Sequence, residues 1–141
     1  MHNMPTEEWH AFVARSTGTG RFATVGADGL PNISPVWYVF DGQDFLFTTG
    51  GRTAKVRNLR RDPRASMCVA EDAPPFAYVE VRGDVTLSDD PAELYDVAFQ
   101  AGARYMGQDR AQEFGKRNAV PGELVVRLRP TKVIAYGGVT D

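Results

Sequence analysis

Apolar positions along the chain change period several times, and the changes mark the elements. Trp9, Phe12 and Val13 recur at helical spacing, which predicts an amphipathic helix over Thr6–Ser16 with Thr6 as its cap and Gly18 and Gly20 beyond its end. The period then falls to two. Arg21–Gly26 predicts a strand, Asp28-Gly29 a hairpin turn, and Ile33–Phe40 a strand apolar on both faces, as in a barrel wall covered by other structure such as a second subunit. Asp41-Gly42 predicts the next turn and Phe45–Thr49 a third strand, so the three together suggest a β-meander.

Gly50-Gly51 interrupts this pattern, and Thr53–Arg61 predicts a short helix with Val56 and Leu59 on its apolar side, closed by Asp62-Pro63. Ala65–Ala70 and Tyr78–Leu87 predict two more strands, with Ala65, Met67 and Val69 on one face of the first and Val79, Val81, Val85 and Leu87 on one face of the second. Gly83 inside the longer strand predicts a bulge or a tight bend. Asp90-Pro91-x-Glu93 is a helix start, and Leu94, Ala98, Ala101 and Tyr105 trace the apolar stripe that follows. After a weaker helical stretch, Gln108–Val120, the chain returns to β. Leu124, Val126 and Leu128 alternate with outward-facing Glu123, Val125, Arg127 and Arg129, and a separate final strand, Lys132–Gly137, follows Pro130. Strands this closely spaced favour an antiparallel barrel with flanking helices over a βαβ sheet. The length of 141 residues, with no linker or repeat, fits one domain spanning 1–141.

Composition removes several functions. The net charge of −2 offers no global basic field for nucleic acid, and no run of apolar residues is long enough to span a membrane. The start of the chain lacks the basic and apolar segments of a signal peptide, and the one cysteine suits a reducing compartment, so a cytoplasmic location is expected. Cys68 reads as a small buried hydrophobe. One cysteine and two histidines near the N-terminus, His2 and His10, do not make a structural metal site. No Ser-His-Asp or Cys-His arrangement and no paired carboxylates stand out, so no side chain is assigned as catalytic.

The stretch that carries chemistry is Thr48-Thr49-Gly50-Gly51-Arg52-Thr53-Ala54-Lys55. A glycine pair lets backbone N–H groups approach a ligand, a helix N-terminus adds free donors and partial positive charge, Arg52 and Lys55 add full charges, and the hydroxyls of Thr48, Thr49 and Thr53 add neutral hydrogen bonds. Such a set suits a phosphate; it also suits an ordinary helix cap with solvated basic residues. Arg57, Arg60, Arg61 and Arg64 continue the charge, either as a rim for a polyanionic tail or as a solvated face paired with the Glu71-Asp72 loop.

The run Gly50-Gly51-Arg52-Thr53-Ala54-Lys55-Val56-Arg57-Asn58-Leu59-Arg60-Arg61-Asp62-Pro63-Arg64 resembles the pyridoxamine 5'-phosphate oxidase-like proteins, and within them the flavin/deazaflavin oxidoreductases that often use coenzyme F420. Gly29-Leu30-Pro31-Asn32-Ile33-Ser34-Pro35-Val36-Trp37-Tyr38 and Tyr78-Val79-Glu80-Val81-Arg82-Gly83 resemble the same group. The resemblance implies a mostly β fold, an FMN-binding split β-barrel with flanking helices, assembled as a homodimer with cofactor sites at the interface. It implies a ring lying against Asn32, Ser34, Pro35, Val36 and Trp37, a phosphate held by Thr48, Thr49, Arg52, Thr53 and Lys55, and Tyr78 at the ring edge from the partner subunit. Relatives often carry arginine where this chain has Thr53; Arg52 is the expected replacement. Pro35 has no N–H to donate to a ring nitrogen, and Val36 N–H is the expected substitute.

FMN and F420 both carry a phosphate, but F420 adds a glutamate tail, and Arg57 and Arg60 suit its carboxylates, since guanidinium groups bind carboxylates bidentately. The expectation is therefore an F420H2-dependent reductase of a small conjugated or quinone-like acceptor. An FMN-dependent oxidase or reductase and a non-catalytic cofactor carrier are the alternatives. Trp37, Tyr38 and Tyr78 are candidates for the acceptor pocket, with barrel core the stronger alternative for Tyr38. Tyr105 and Met106 would cover the site from the long helix or simply pack that helix.

Overall fold

The computed structural model describes residues 1–141. A two-residue strand, β1 (His2–Asn3), precedes helix α1 (Thr6–Arg15), which buries Trp9, Phe12 and Val13. Its cap position is Pro5, and no side chain caps it, so Thr6 does not take the role its sequence position suggested. Strands β2 (Gly20–Val25) and β3 (Pro31–Val36) form the expected hairpin, turning through Gly29 at a φ of 84° while Asp28 Oδ1 accepts from Leu30 N–H at 3.0 Å. Strands β4 (Val39–Phe40) and β5 (Phe45–Gly50) form a second hairpin through Gly42.

Helix α2 (Ala54–Arg61) and strands β6 (Arg64–Ala70) and β7 (Tyr78–Ser88) follow, then helix α3 (Pro91–Met106), whose cap Asp90 accepts from Glu93 N–H at 3.1 Å. A single 3-10 turn, Gln108–Arg110, leads into α4 (Ala111–Asn118), and β8 (Glu123–Gly137) ends the fold.

All strands join one antiparallel sheet in the order β3-β2-β6-β7-β8-β5-β4, with β1 also on β8. The two ends of this list are consecutive halves of one extended segment, Pro31–Phe40. Its first half pairs with β2 and its second half with β5, and the change of partner falls at Trp37-Tyr38. The sheet therefore curls until its ends meet, leaving a split between β3 and the C-terminal half of β5. This corrects the meander expectation: the middle segment has one hydrogen-bonded neighbour at a time.

Two other expectations change. The final strands are one, because Pro130 sits opposite Gly83, where the β7–β8 register shifts and the ladder asks nothing of a missing N–H. A Cβ on Gly83 would lie 1.9 Å from the Arg129 carbonyl oxygen, so the bulge requires glycine. Val125 points outward but is buried rather than solvent-exposed, because α3 covers that side of β8. Inside the barrel lie Phe22, Phe45, Phe47, Met67, Val81, Val126 and Leu128, with Tyr38 among them as the core reading held. On the outer face Val39, Leu46 and Val125 meet Leu94, Val97 and Ala101 of α3 in a second core. Cys68 is half-buried on the outward face, across from Arg21, rather than within the core.

Candidate functional site

Strand register decides which backbone groups are spoken for. Hydrogen-bonded and non-bonded pairs alternate along an antiparallel ladder. Gly26 N–H donates to Leu30 O at 2.8 Å, so in the same register Thr24–Asn32, Phe22–Ser34 and Gly20–Val36 are the bonded pairs. Val36 N–H is thus committed to β2 and is not the free donor expected for a ring nitrogen. The opposite edge of β3 belongs to Pro31, Ile33 and Pro35, and the two prolines leave Ile33 N–H as the only β3 amide directed into the split.

Across the split the same argument applies. Asp41 N–H donates to Asp44 O at 3.1 Å, which makes Val39–Leu46 a bonded pair and Trp37–Thr48 the next rung. That rung is not formed: neither Trp37 nor Thr48 bonds the other. On its far side β5 bonds β8 through its odd residues, continuing to Gly51 N–H on Gly122 O at 2.8 Å. The split is therefore lined by unpaired backbone groups of Ile33 and Trp37 on one lip and by those of Thr48 and the Gly50 N–H on the other.

Helix α2 starts at the end of the second lip. Thr53 at its cap folds onto Gly50, with Thr53 Oγ1 donating to Gly50 O at 3.0 Å. The amides of Ala54, Lys55 and Val56 find no acceptor in the chain. Lys55 makes no ion pair or hydrogen bond, is half-buried, and has its pKa lowered by that burial. A partly desolvated ammonium beside three free amides is an arrangement that an anion completes. Gly51 serves a different purpose from the one expected. Gly51 spends its N–H on Gly122, and a Cβ there would meet the Gly122 oxygen at 2.9 Å, so its smallness permits strand–loop packing rather than ligand approach.

Asn58 fixes α2 to the barrel. It is buried and donates to Thr24 Oγ1 at 3.0 Å, while Arg61 donates to Asn58 Oδ1 at 2.8 Å and to Val25 O at 3.3 Å. Thr24 lies opposite Asn32 on one face of the β2–β3 hairpin, so α2 sits over the face that carries Asn32 and Ser34. Ser34 Oγ is buried there without a partner.

The predicted site residues therefore divide. Asn32, Ser34, Thr48, Thr49, Thr53 and Lys55 gather around the split, although strand alternation turns the Thr48 side chain to the α3 face and the Thr49 side chain to the barrel interior. Arg52 is exposed and unpaired, and its carbonyl accepts from Arg57. Arg60 is exposed without a partner. No ion pair joins these arginines to Glu71 or Asp72; the Glu71 carboxylate accepts from Ala77 N–H instead. Trp37 stacks on Tyr105, with ring centroids 5.4 Å apart, and also meets Phe114, so its indole packs under α3 and α4. Tyr78 lies on the outward face beside Tyr136, separated from β2 by β6, and does not reach its own chain's split. Asn58 and the amides of Ile33 and Trp37 were not foreseen. Pro31 and Pro35, two residues of equal parity, are the sequence signal for that unpaired edge.

Residues 5–137 match the family described as pyridoxamine 5'-phosphate oxidase. The chain belongs to that family. Among solved structures it is similar to Rv2991 of Mycobacterium tuberculosis, with 28% identity over 96% of this chain and 86% of that one and a TM-score of 0.84. It is also similar to an F420 reductase, with 27% identity over 86% of this chain and 93% of the other and a TM-score of 0.68. The heme storage protein HutZ of Vibrio cholerae shares the fold at 20% identity, over 94% of this chain and 96% of that one, with a TM-score of 0.70. The split barrel thus serves both redox enzymes and heme-binding proteins. The split, the anion-ready helix start and the buried unpartnered hydroxyl of Ser34 fit a phosphorylated ring cofactor. No helix of this chain is long and apolar enough to cross a membrane.

Proposed function

We propose that this family member is a cytoplasmic, F420H2-dependent reductase of a small conjugated or quinone-like acceptor. The observation that carries the proposal is Lys55: a half-buried cation with no protein partner, beside three free amides, at one end of an open backbone split. The cofactor phosphate would meet Lys55 and the Ala54–Val56 amides. The unpaired groups of Ile33, Trp37 and Thr48 and the Gly50 N–H would hold the polar edge of the ring, with Ser34 Oγ beneath. When bound, the reduced cofactor supplies the hydride; the protein's part is to bind, orient and exclude water.

The 27% identity to an F420 reductase favours the deazaflavin. Arg52, Arg57 and Arg60 agree with it: they are exposed on or beside α2 and make no ion pair, so they are available to a polycarboxylate tail. FMN is the second candidate, since its phosphate makes the same demand on Lys55. A homodimer is part of the proposal: Leu30 is 66% and Ile33 64% exposed beside the split, and Tyr78 would reach the partner's ring from the outward face.

Paired fluorescence titrations with F420 and FMN, followed by anaerobic turnover against a panel of acceptors, test it. Tight F420 binding with acceptor reduction is expected. Binding without turnover on any acceptor would leave a carrier, and a flat titration with both cofactors would end the proposal.

A further inference from the structure

Nothing in the ladder itself explains why the rung between Trp37 and Thr48 fails to form. The register on its hairpin side is regular, and Thr48 lies within β5. Two consecutive residues of α3 hold the segment at that point. Arg104 donates to the Val13, Ala14 and Ser16 carbonyls at the end of α1 and to Tyr38 Oη at 2.7 Å, with its guanidinium 4.4 Å from the centre of the Tyr38 ring. Tyr38 Oη in turn donates to Val13 O at 2.7 Å, which draws that side chain inward. Tyr105 holds both residues: its ring stacks on Trp37 at 20° between planes and meets the Tyr38 ring edge-on at 6.4 Å, and its hydroxyl donates to Gly18 O at 3.2 Å. Trp37 and Tyr38 are therefore both held by α3 at the point where the segment changes partner.

We propose that Arg104, with Tyr105, is a positioning residue that holds the split open at Trp37–Thr48. Neither side chain touches the proposed ligand; they act through the backbone of Trp37. The inference rests on the cofactor reading for its functional consequence but not for its geometry. Releasing the pin lets Trp37 and Thr48 zip, which removes two backbone donors from the cleft.

The test compares wild type with Arg104→Met, Arg104→Lys and Tyr105→Leu. Amide hydrogen exchange at Trp37 and Thr48, read by NMR on the cofactor-free protein, is expected to slow at least tenfold in Arg104→Met and Tyr105→Leu, with partial return in Arg104→Lys. For whichever cofactor the wild type binds, Kd is expected to rise at least tenfold, while competition by inorganic phosphate stays unchanged because the α2 start is untouched. A purely structural staple would instead raise exchange broadly and leave those two amides unprotected. If Arg104→Met does not fold, Tyr105→Leu decides alone. Wild-type exchange rates at Trp37 and Thr48 in a folded variant overturn the inference, whereas a wild type that binds neither cofactor overturns the proposed function and leaves the exchange result standing.

Discussion

Replacing Lys55 by methionine should move binding and folding in opposite directions. The ammonium is half-buried and unpaired, and burial lowers its pKa, so the empty site carries a desolvation cost that no protein group offsets. Methionine keeps much of the stem and removes the charge, so the cofactor-free protein should melt at the same temperature or higher. The bound state loses a charge-assisted hydrogen bond to the phosphate, worth about 1.5–3 kcal/mol. At about 1.4 kcal/mol per tenfold, that is roughly 10- to 150-fold in Kd. Fluorescence titration and thermal unfolding of the same preparations read the two effects. The sign of the pH effect follows as well: bound phosphate favours the charged lysine, so affinity should fall as pH rises through a value below the ordinary 10.5. Unchanged Kd, or a clear fall in melting temperature without cofactor, would refute the assignment of Lys55 as the anion ligand.

Three further outcomes are expected. Neutralising Arg57 and Arg60 together should weaken F420 more than FMN in parallel titrations; equal losses would remove the arginine argument for the deazaflavin. Asp44 is 1% exposed, and although burial pushes its carboxyl up, hydrogen bonds from Arg129 and Arg127 outweigh this and hold it below the usual range. A native pKa below the unfolded one gives stability that is complete above about pH 4 and lost as pH falls through the native value; Asp44→Asn should abolish that slope in urea melts and cost about 1–3 kcal/mol. Gly83→Ala drives a Cβ against the Arg129 carbonyl and should destabilise by about 1–3 kcal/mol, by the same melts, unless the bulge can shift at no cost.

Much of the fold was legible because local signals agreed with the final packing. Asp28-Gly29 and Asp41-Gly42 marked the hairpins, Asp90-Pro91 marked the start of α3, and Gly83 marked the bulge. What failed depended on long-range pairing. Pro130 looked like a strand breaker because its partner, Gly83, lies far away in sequence. Val125 looked solvent-facing because α3, which covers it, comes earlier in the chain. In the site, Lys55 and the helix start were visible as charge and glycine, but the purpose of Gly51 was not, since Gly122 is what it touches. The packing of the Trp37 indole was hidden for a similar reason: nothing in its own segment reveals that Tyr105 receives it.

Pro31 and Pro35 also bear on how the barrel behaves before any ligand arrives. A strand edge rich in amide hydrogens recruits another strand, either by zipping shut or by adding a foreign chain. This lip has been disarmed covalently at two of its three outward positions, so a cofactor-free subunit can wait with its seam exposed and neither seal itself nor template a fibril.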